Sequence, residues 1–323
     1  MHAASYNNNW HKLTPALILG ALLSVNAAGA CELPTTLSHT ITGVVDTRAL
    51  KLDDGSELRL AGILGPTAYD SPAAPNNWPA EAVALTALSK LAMNQSVAIS
   101  LERTARDRYG RFVGHALLAS GSNNVKSDIR NLWLQALIVR AGQARVALTP
   151  EIDEACAKLL LNLEATAGAS RKGLWNEAVY QPKRAEDVAL LRRYRSTYQI
   201  VEGVVASVSV RRSAVYLNFG MNWKRDFTAK LSRAVLKRAR IKPSTLKALH
   251  KKPLRIRGWL EQRNGPLMII WRLEQIERLT LTPTGETKRQ SPPNLLTDLQ
   301  SKPPNGGIRQ SKSEQKTKAP RYQ

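Results

Sequence analysis

The feature that most restricts how this chain can fold is a series of short segments in which apolar and polar residues alternate and which end at turn residues. Alternation of apolar and polar side chains with a period of two predicts half-buried strands. The sequence Asp53-Asp54-Gly55 lies between two such segments and is typical of a hairpin turn. Five strands are predicted in the first half of the chain, at 38–45, 49–52, 57–60, 96–102 and 112–119.

Helical patterns lie between and after these strands. Residues 80–93 follow Pro79, which suits a first helical position, and place apolar side chains at helical spacing. Two further helices are predicted at 127–140 and from Pro150 to about Ala167. The fold class predicted for this half is mainly β with helices (α+β), a small barrel packed by helices.

The second half repeats the strand pattern. Strands are predicted at 198–205, 207–210, 215–219, 254–260 and 267–271, and a basic helix at 230–240. Asn264-Gly265 predicts the last hairpin turn. We therefore expect a second small β-barrel. The predicted domains are 1–30 as a signal peptide, 36–180 and 183–280 as barrels, and 281–323 as a disordered basic tail.

Charge divides the chain unevenly. The formal net charge is +22, which favours an anionic partner such as nucleic acid or another polyanion. Residues 1–182 carry 16 basic and 15 acidic side chains, whereas residues 183–280 carry 23 and 7. The second half is therefore the expected electrostatic contact with the partner.

An apolar run at 13–25 precedes Ala28-Gly29-Ala30 and is typical of a cleaved secretory signal peptide. It is too short to span a bilayer, so no integral membrane span is predicted. A periplasmic or secreted location follows. Cleavage would leave Cys31 first, which keeps a lipoprotein as an alternative, and a buried N-terminal helix is another. After export, Cys31 and Cys156 either form a disulfide or remain unpaired.

Three ordered motifs resemble one known family. They are Gly43-Val44-Val45-Asp46 with the strand pair through Ile63, the sequence Asp107-Arg108-Tyr109-Gly110-Arg111, and Arg171-Lys172-Gly173-Leu174-Trp175. Together they are similar to the staphylococcal-nuclease-like (thermonuclease family) domain over about 36–180. The resemblance implies a barrel of the oligonucleotide-binding type that cleaves phosphodiesters with calcium. It also implies that Arg59 and Arg111 are the catalytic phosphate clamp, a role that guanidinium forks suit.

The sequence departs from the family where the metal should bind. Arg48 and Leu64 stand where the resemblance implies metal-binding aspartates, and Thr67 stands where it implies a catalytic glutamate. Only Asp46 remains of the metal site. Calcium requires several anionic oxygen ligands. We therefore expect no cofactor, unless Asp70 or Glu81 is recruited instead.

Basic and aromatic residues of the second half predict a nucleic-acid groove, because single strands bind to mixtures of cations and stacking rings. The alternative is that the aromatic rings fill the core and the charges form a solvated face. The predicted nucleic-acid contacts are Arg211, Arg212, Trp223, Lys224, Arg225, Arg255 and Arg257.

Three functions remain open from the sequence. The first is an exported, degenerate nuclease that binds nucleic acid or other polyanions after losing most hydrolysis. The second is an active nuclease that uses Arg59 and Arg111 with an unrecognised carboxylate. The third is an envelope scaffold that binds anionic lipid or cell-wall polymer through residues 183–280.

Overall fold

A closed five-stranded barrel forms the first half of the chain. The computed structural model describes residues 30–70, 78–119, 128–281 and 287–289. The strands of the barrel region are β1 (Leu37–Asp46), β2 (Ala49–Leu52), β3 (Glu57–Leu60), β4 (Ile63–Leu64), β5 (Ser96–Arg106), β6 (Phe112–Leu118) and β7 (Arg145–Val146). The barrel order is β1-β2-β3-β6-β5, with β3 and β6 parallel, and β4 pairs with β7 outside it.

Helices cover the barrel because its strands leave apolar side chains on both sides. The helices are α1 (Pro79–Ala92), α2 (Ile129–Leu132), α3 (Leu134–Arg140) and α4 (Glu154–Ala169). The predicted helix at 127–140 is thus two helices, because the backbone of Trp133 is extended. The Trp133 side chain is fully buried in the core that α3 and α4 share with the barrel.

A disulfide joins Cys31 to Cys156 of α4, across 125 residues of sequence. Closing a loop of that length restricts the unfolded chain and contributes on the order of 4–5 kcal/mol to stability. The start of the described chain is thereby fixed to the helix that packs on the barrel.

The second half forms a sheet of nine strands among the described residues. They are β8 (Lys183–Arg184), β9 (Tyr198–Val204), β10 (Ser207–Val210), β11 (Ala214–Asn218), β12 (Thr228–Ser232), β13 (Pro253–Arg263), β14 (Gly265–Ile270), β15 (Ile276–Leu281) and β16 (Thr287–Arg289). Two α-helices accompany them, α5 (Val188–Arg193) and α6 (Arg233–Arg238). Short 3-10 helices lie at Ala68–Asp70, Gly173–Asn176, Pro243–Leu249 and Leu273–Gln275.

This second sheet curls back on itself. Two residues separate β9 from β10, yet β9 pairs with β13 while β10 pairs with β11. β12 and β14 are parallel neighbours, as β3 and β6 are in the barrel. The two halves therefore share a pairing order, and the described part of the chain is α+β with a closed barrel and a curled sheet.

One sequence prediction needs correction in this half. Residues 230–240 are not one helix, because Thr228–Ser232 form β12 with Ala229 and Leu231 buried, and α6 begins only at Arg233. Thr287–Arg289 form β16 beside β15, and the rest of the predicted tail lies outside the described residues except for Leu281. The predicted signal peptide, apart from Ala30, lies outside the described residues. No helix in the described part of the chain is long and apolar enough to cross a membrane.

Buried polar side chains join the barrel to the curled sheet. Arg145 of β7 contacts the carboxylate of Asp70 at 2.9 Å and donates to the carbonyl of Tyr198 on β9. Arg257 of β13 contacts Glu164 of α4 at 2.6 Å. Since Arg145 and Arg257 are almost wholly buried, these contacts hold the halves in one arrangement.

Candidate functional site

The pairing of β3 with β6 brings the two predicted clamp arginines to one carboxylate. Arg59 lies on β3 beside Val113, and Arg111 immediately precedes β6. The Nη2 atom of Arg111 is 2.8 Å from Oδ2 of Asp107, and Nη1 of Arg59 is 3.8 Å from the same oxygen. The two guanidinium groups therefore converge on one carboxylate oxygen, and their role as a phosphate clamp stays a prediction.

Asp107 organises the turn that carries Arg111. Its Oδ1 accepts hydrogen bonds from the backbone N–H groups of Tyr109 and Arg111, and Oδ2 accepts one from Nε of Arg111. Desolvation raises the pKa of Asp107, but these hydrogen bonds outweigh it and lower that pKa overall. The carboxylate is thus ionised at neutral pH and fixes the direction of Arg111. Sequence inspection identified the motif but missed this role of its aspartate.

Arg48 brings a third guanidinium to the same region. It lies in the turn between β1 and β2, where its backbone carbonyl accepts from the N–H of Leu60 at 2.7 Å. Gly65 packs against this turn, since a Cβ on Gly65 would lie 2.4 Å from Cβ of Thr47. Burial lowers the pKa of Arg48, and the positive charge of Arg59 lowers it further. The chain therefore places two cations close enough to repel each other.

Several donors of this arginine cluster, defined as Arg48, Arg59 and Arg111, lack protein acceptors. The Nε atom of Arg59 is buried without a hydrogen-bond partner among the described residues. No described residue accepts a hydrogen bond or forms an ion pair with the guanidinium of Arg48. Buried donors without acceptors are costly, and guanidinium groups form strong charge-assisted hydrogen bonds with oxyanions. The ring of Tyr109, 66% exposed, lies beside this cluster, 5.3 Å from the guanidinium carbon of Arg111.

The neighbouring carboxylates do not fit a calcium site. Both carboxylate oxygens of Asp107 already accept hydrogen bonds, from the backbone N–H groups of Tyr109 and Arg111 and from Nε of Arg111. Oδ1 of Asp46 accepts the backbone N–H of Arg48 at 2.7 Å, and Oδ1 of Asp70 contacts Arg145. Calcium needs six to eight oxygen ligands. With Arg48 beside them, these residues present a cationic surface to an incoming cation.

Asp70 and Glu81, the alternative carboxylates, have structural partners. Oδ2 of Asp70 accepts from the Tyr180 hydroxyl at 3.0 Å and from the N–H of Thr67 at 2.9 Å. Glu81 accepts from the N–H of Ala68 at 3.2 Å. Among the described residues, the one group of three potential metal ligands is His39 of β1 with Asp53 and Asp54 of the β2–β3 turn.

The domain that carries Arg59, Asp107 and Arg111 can now be compared with known families. Residues 57–177 match the family model described as staphylococcal nuclease homologue. The chain contains a staphylococcal-nuclease-like domain. The match begins at β3 and ends just after the 3-10 helix Gly173–Asn176, so it includes both clamp arginines and leaves out Asp46 and Arg48. No curated protein matches the chain. A nuclease-like domain indicates nucleic-acid binding or nuclease chemistry.

Outside this nuclease-like domain, the structure removes Arg257 from the predicted nucleic-acid contacts. The side chain is 0% exposed, and its guanidinium contacts Glu164 and Glu277. Burial lowers the pKa of Arg257, but the two carboxylates outweigh it and raise that pKa overall. Arg255, two residues earlier, contacts Glu202 at 2.6 Å and is 19% exposed. Both arginines therefore stabilise the fold, because β13 runs through the middle of the sheet and against α4.

The remaining predicted contacts lie on two surface turns. Arg211 and Arg212 are exposed between β10 and β11, and Lys224 and Arg225 are exposed between β11 and β12. Trp223 is 58% exposed. The structure brings two of these residues, Arg211 and Trp223, to one cavity of about 360 Å³.

Sequence inspection missed two cations of this cavity, Lys230 and Arg263. The sequence predicts a helix at Lys230, whereas the residue lies on β12 directly beside Tyr216 of β11. Alternation of Thr228, Lys230 and Ser232 with apolar residues is the signal that identifies the strand and its outward face.

Proposed function

We propose that this protein binds nucleic acid, or another polyanion with phosphate groups, at the arginine cluster of its nuclease-like domain. Calcium-dependent hydrolysis of phosphodiesters is lost or much reduced. One observation carries the proposal: Arg59 and Arg111 converge on Asp107, Arg48 lies within electrostatic reach of both, and the carboxylates of Asp46 and Asp107 already accept hydrogen bonds from the protein. The site therefore attracts an oxyanion and disfavours a divalent cation.

Phosphate is the anion that this cluster suits best. Guanidinium forks bind phosphate oxygens in pairs, and such charge-assisted hydrogen bonds are stronger than neutral ones. Arg59 supports this role because its side chain is 35% exposed and its contact with Asp107 is long, at 3.8 Å. A phosphate can thus reach Arg59 without displacing the closer contact between Asp107 and Arg111.

Loss of hydrolysis follows from the metal chemistry. The family resemblance implies carboxylates at Arg48, Leu64 and Thr67, and the chain supplies a cation and two uncharged side chains there. A cation in place of a ligand adds repulsion, up to about 4 kcal/mol for a unit pair 4 Å apart at an effective dielectric of about 20. A bound metal ion would activate the attacking water and neutralise charge at the phosphate, and without it both contributions to hydrolysis are lost.

Export is part of the proposal. We place the protein in the periplasm or outside the cell after removal of residues 1–30. The disulfide between Cys31 and Cys156 supports this, since such bonds persist in oxidising compartments. We further propose that residues 183–280 form a second, basic β-barrel domain, which the curling of the second sheet supports.

A cleavage and binding assay on labelled single-stranded DNA tests the function. We expect no cleavage that depends on calcium or magnesium, and binding that persists in EDTA. Arg59→Gln should weaken binding on the order of tenfold, since it removes one charge-assisted contact. The matched control is Arg103→Gln, an exposed arginine of β5 outside the cluster.

Rapid digestion that stops on addition of EGTA contradicts the proposal and favours an active nuclease. Equal binding by wild type and Arg59→Gln removes the arginine cluster as the anion site. Binding to anionic vesicles in preference to DNA favours the envelope scaffold instead.

A further inference from the structure

The outer face of the curled sheet carries a cavity, lined by charged, polar and aromatic residues, that the nuclease-like domain does not explain. Strand register places Ser209, Tyr216 and Lys230 in one row across β10, β11 and β12. Their neighbours in sequence, such as Leu217 and Ala229, point to the opposite face and fill the core. The cavity lies on the polar face and encloses about 360 Å³, within the range of small-ligand sites.

Hydrogen bonds hold the floor of this cavity in place. The Asn218 amide nitrogen donates to the hydroxyl of Ser207 at 3.0 Å, and the Thr228 hydroxyl donates to Asn218 Oδ1 at 3.2 Å. Asn218 and Thr228 are only 5% and 6% exposed, so the network is fixed by its surroundings. A floor of ordered amide and hydroxyl groups suits the polar edge of a nucleobase better than a hydrocarbon chain.

Positive charge exceeds negative charge in the cavity lining, with three cations against the carboxylate of Asp226. Arg211, Lys230 and Arg263 form no ion pair with a described carboxylate, although all three line the cavity. The one carboxylate of the lining, Asp226, accepts the backbone N–H of Asn222 at 2.7 Å. The three cations are therefore available to an anionic ligand.

The loop between β11 and β12 places the aromatic ring of Trp223 at one side of the cavity. Asp226 fixes this loop through Asn222, and a Cβ on Gly220 would lie 2.1 Å from the Asp226 carboxylate. Gly265 lets the β13–β14 turn approach the loop, since a Cβ there would lie 2.4 Å from the Asp226 carbonyl. The exposed ring of Trp223 is thus presented at the cavity by a fixed backbone.

We propose that this cavity is a subsite for a base of single-stranded nucleic acid. The rings of Trp223 and Tyr216 contact the base, and Arg211, Lys230 and Arg263 contact the flanking phosphates. Aromatic rings beside unpaired cations are the combination that binds single strands. The subsite rests on the proposed function in that it names the ligand class, but it lies on a different part of the chain.

Two probes of equal charge separate base contacts from phosphate contacts. One is an oligothymidylate of about 12 nucleotides, and the other is an abasic phosphodiester of the same length. Wild type should bind the oligothymidylate on the order of tenfold more tightly, because one stacked base contributes that much. Trp223→Ala should abolish this preference and leave the affinity for the abasic probe unchanged.

Matched variants complete the experiment. Trp271→Ala removes an exposed tryptophan outside the cavity and should keep the preference. Lys230→Gln should lower the affinity for both probes. It should also reduce the slope of log affinity against log salt by about one, as expected for the loss of one phosphate contact.

Three outcomes would overturn the subsite. If Trp223→Ala keeps the preference while Arg59→Gln weakens both probes, the subsite is wrong and the proposed function stands. If wild type binds neither probe, the subsite is wrong, and so is nucleic-acid binding at the arginine cluster. Met221, on the same loop, is 91% exposed. If Trp223→Ala and Met221→Ser each abolish binding to phosphatidylglycerol vesicles but keep binding to both probes, the loop is a membrane contact.

Discussion

Single side chains show how burial decides the role of a charge. Arg255 and Arg257 occupy one face of β13, because side chains two residues apart in a strand point the same way. Arg257 lies under α4 and is fully enclosed by Glu164 and Glu277, whereas Arg255 keeps some contact with solvent. This difference in burial comes from α4, whose Glu164 lies 93 residues before Arg257 in the sequence.

We expect Arg257→Ala to lower the free energy of unfolding by about 3–5 kcal/mol, because it removes the buried guanidinium that contacts both Glu164 and Glu277. Urea unfolding followed by circular dichroism measures the change. Arg212→Ala is the control, since Arg212 is exposed, and it should alter stability by less than about 0.5 kcal/mol. A small effect of Arg257→Ala would show that Glu164 and Glu277 can be hydrated or protonated at little cost.

At the scale of elements, the arginine cluster depends on how closely two segments approach. The β1–β2 turn carries Arg48, and the segment after β4 packs against it through Gly65. A side chain at Gly65 would collide with both the side chain and the carbonyl of Thr47. The position of Arg48 relative to Arg59 therefore depends on one missing Cβ.

Gly65→Ala should cost about 1–3 kcal/mol of stability, as overpacking does, and should also weaken DNA binding. Thermal unfolding and a binding titration measure the two effects. Gly43→Ala, in β1, provides the comparison because a Cβ there would contact Lys51 at an ordinary 3.4 Å. If the two variants behave alike, the close approach at Gly65 does not position Arg48.

For the whole molecule, the contacts between barrel and curled sheet decide how the halves unfold. Arg145 reaches from β7 to Asp70 and Tyr198, and the Tyr198 hydroxyl donates to the carbonyl of Val146 at 2.9 Å. These groups are buried, so separating the halves exposes charges together with their unpaired partners. The two predicted domains should therefore open together.

Hydrogen exchange measured by mass spectrometry tests this coupling. The slowest amides of β5 and β6 and those of β11 and β12 should open with free energies equal within about 1 kcal/mol. Arg257→Ala should lower both values by the same amount. A barrel that keeps its protection while the curled sheet loses it would show two independent domains.

The sequence alone determined most of the long strands, most helices and the nuclease-like family of residues 57–177, because periodicity, turn residues and short motifs are local. It also predicted Arg59 and Arg111 as a pair that binds phosphate. Only the tertiary structure decided that Asp107 lies between them, that Arg257 is internal, and that Lys230 and Arg263 share a cavity with Trp223. The reason is that burial and charge pairing depend on segments distant in sequence, which no local pattern encodes.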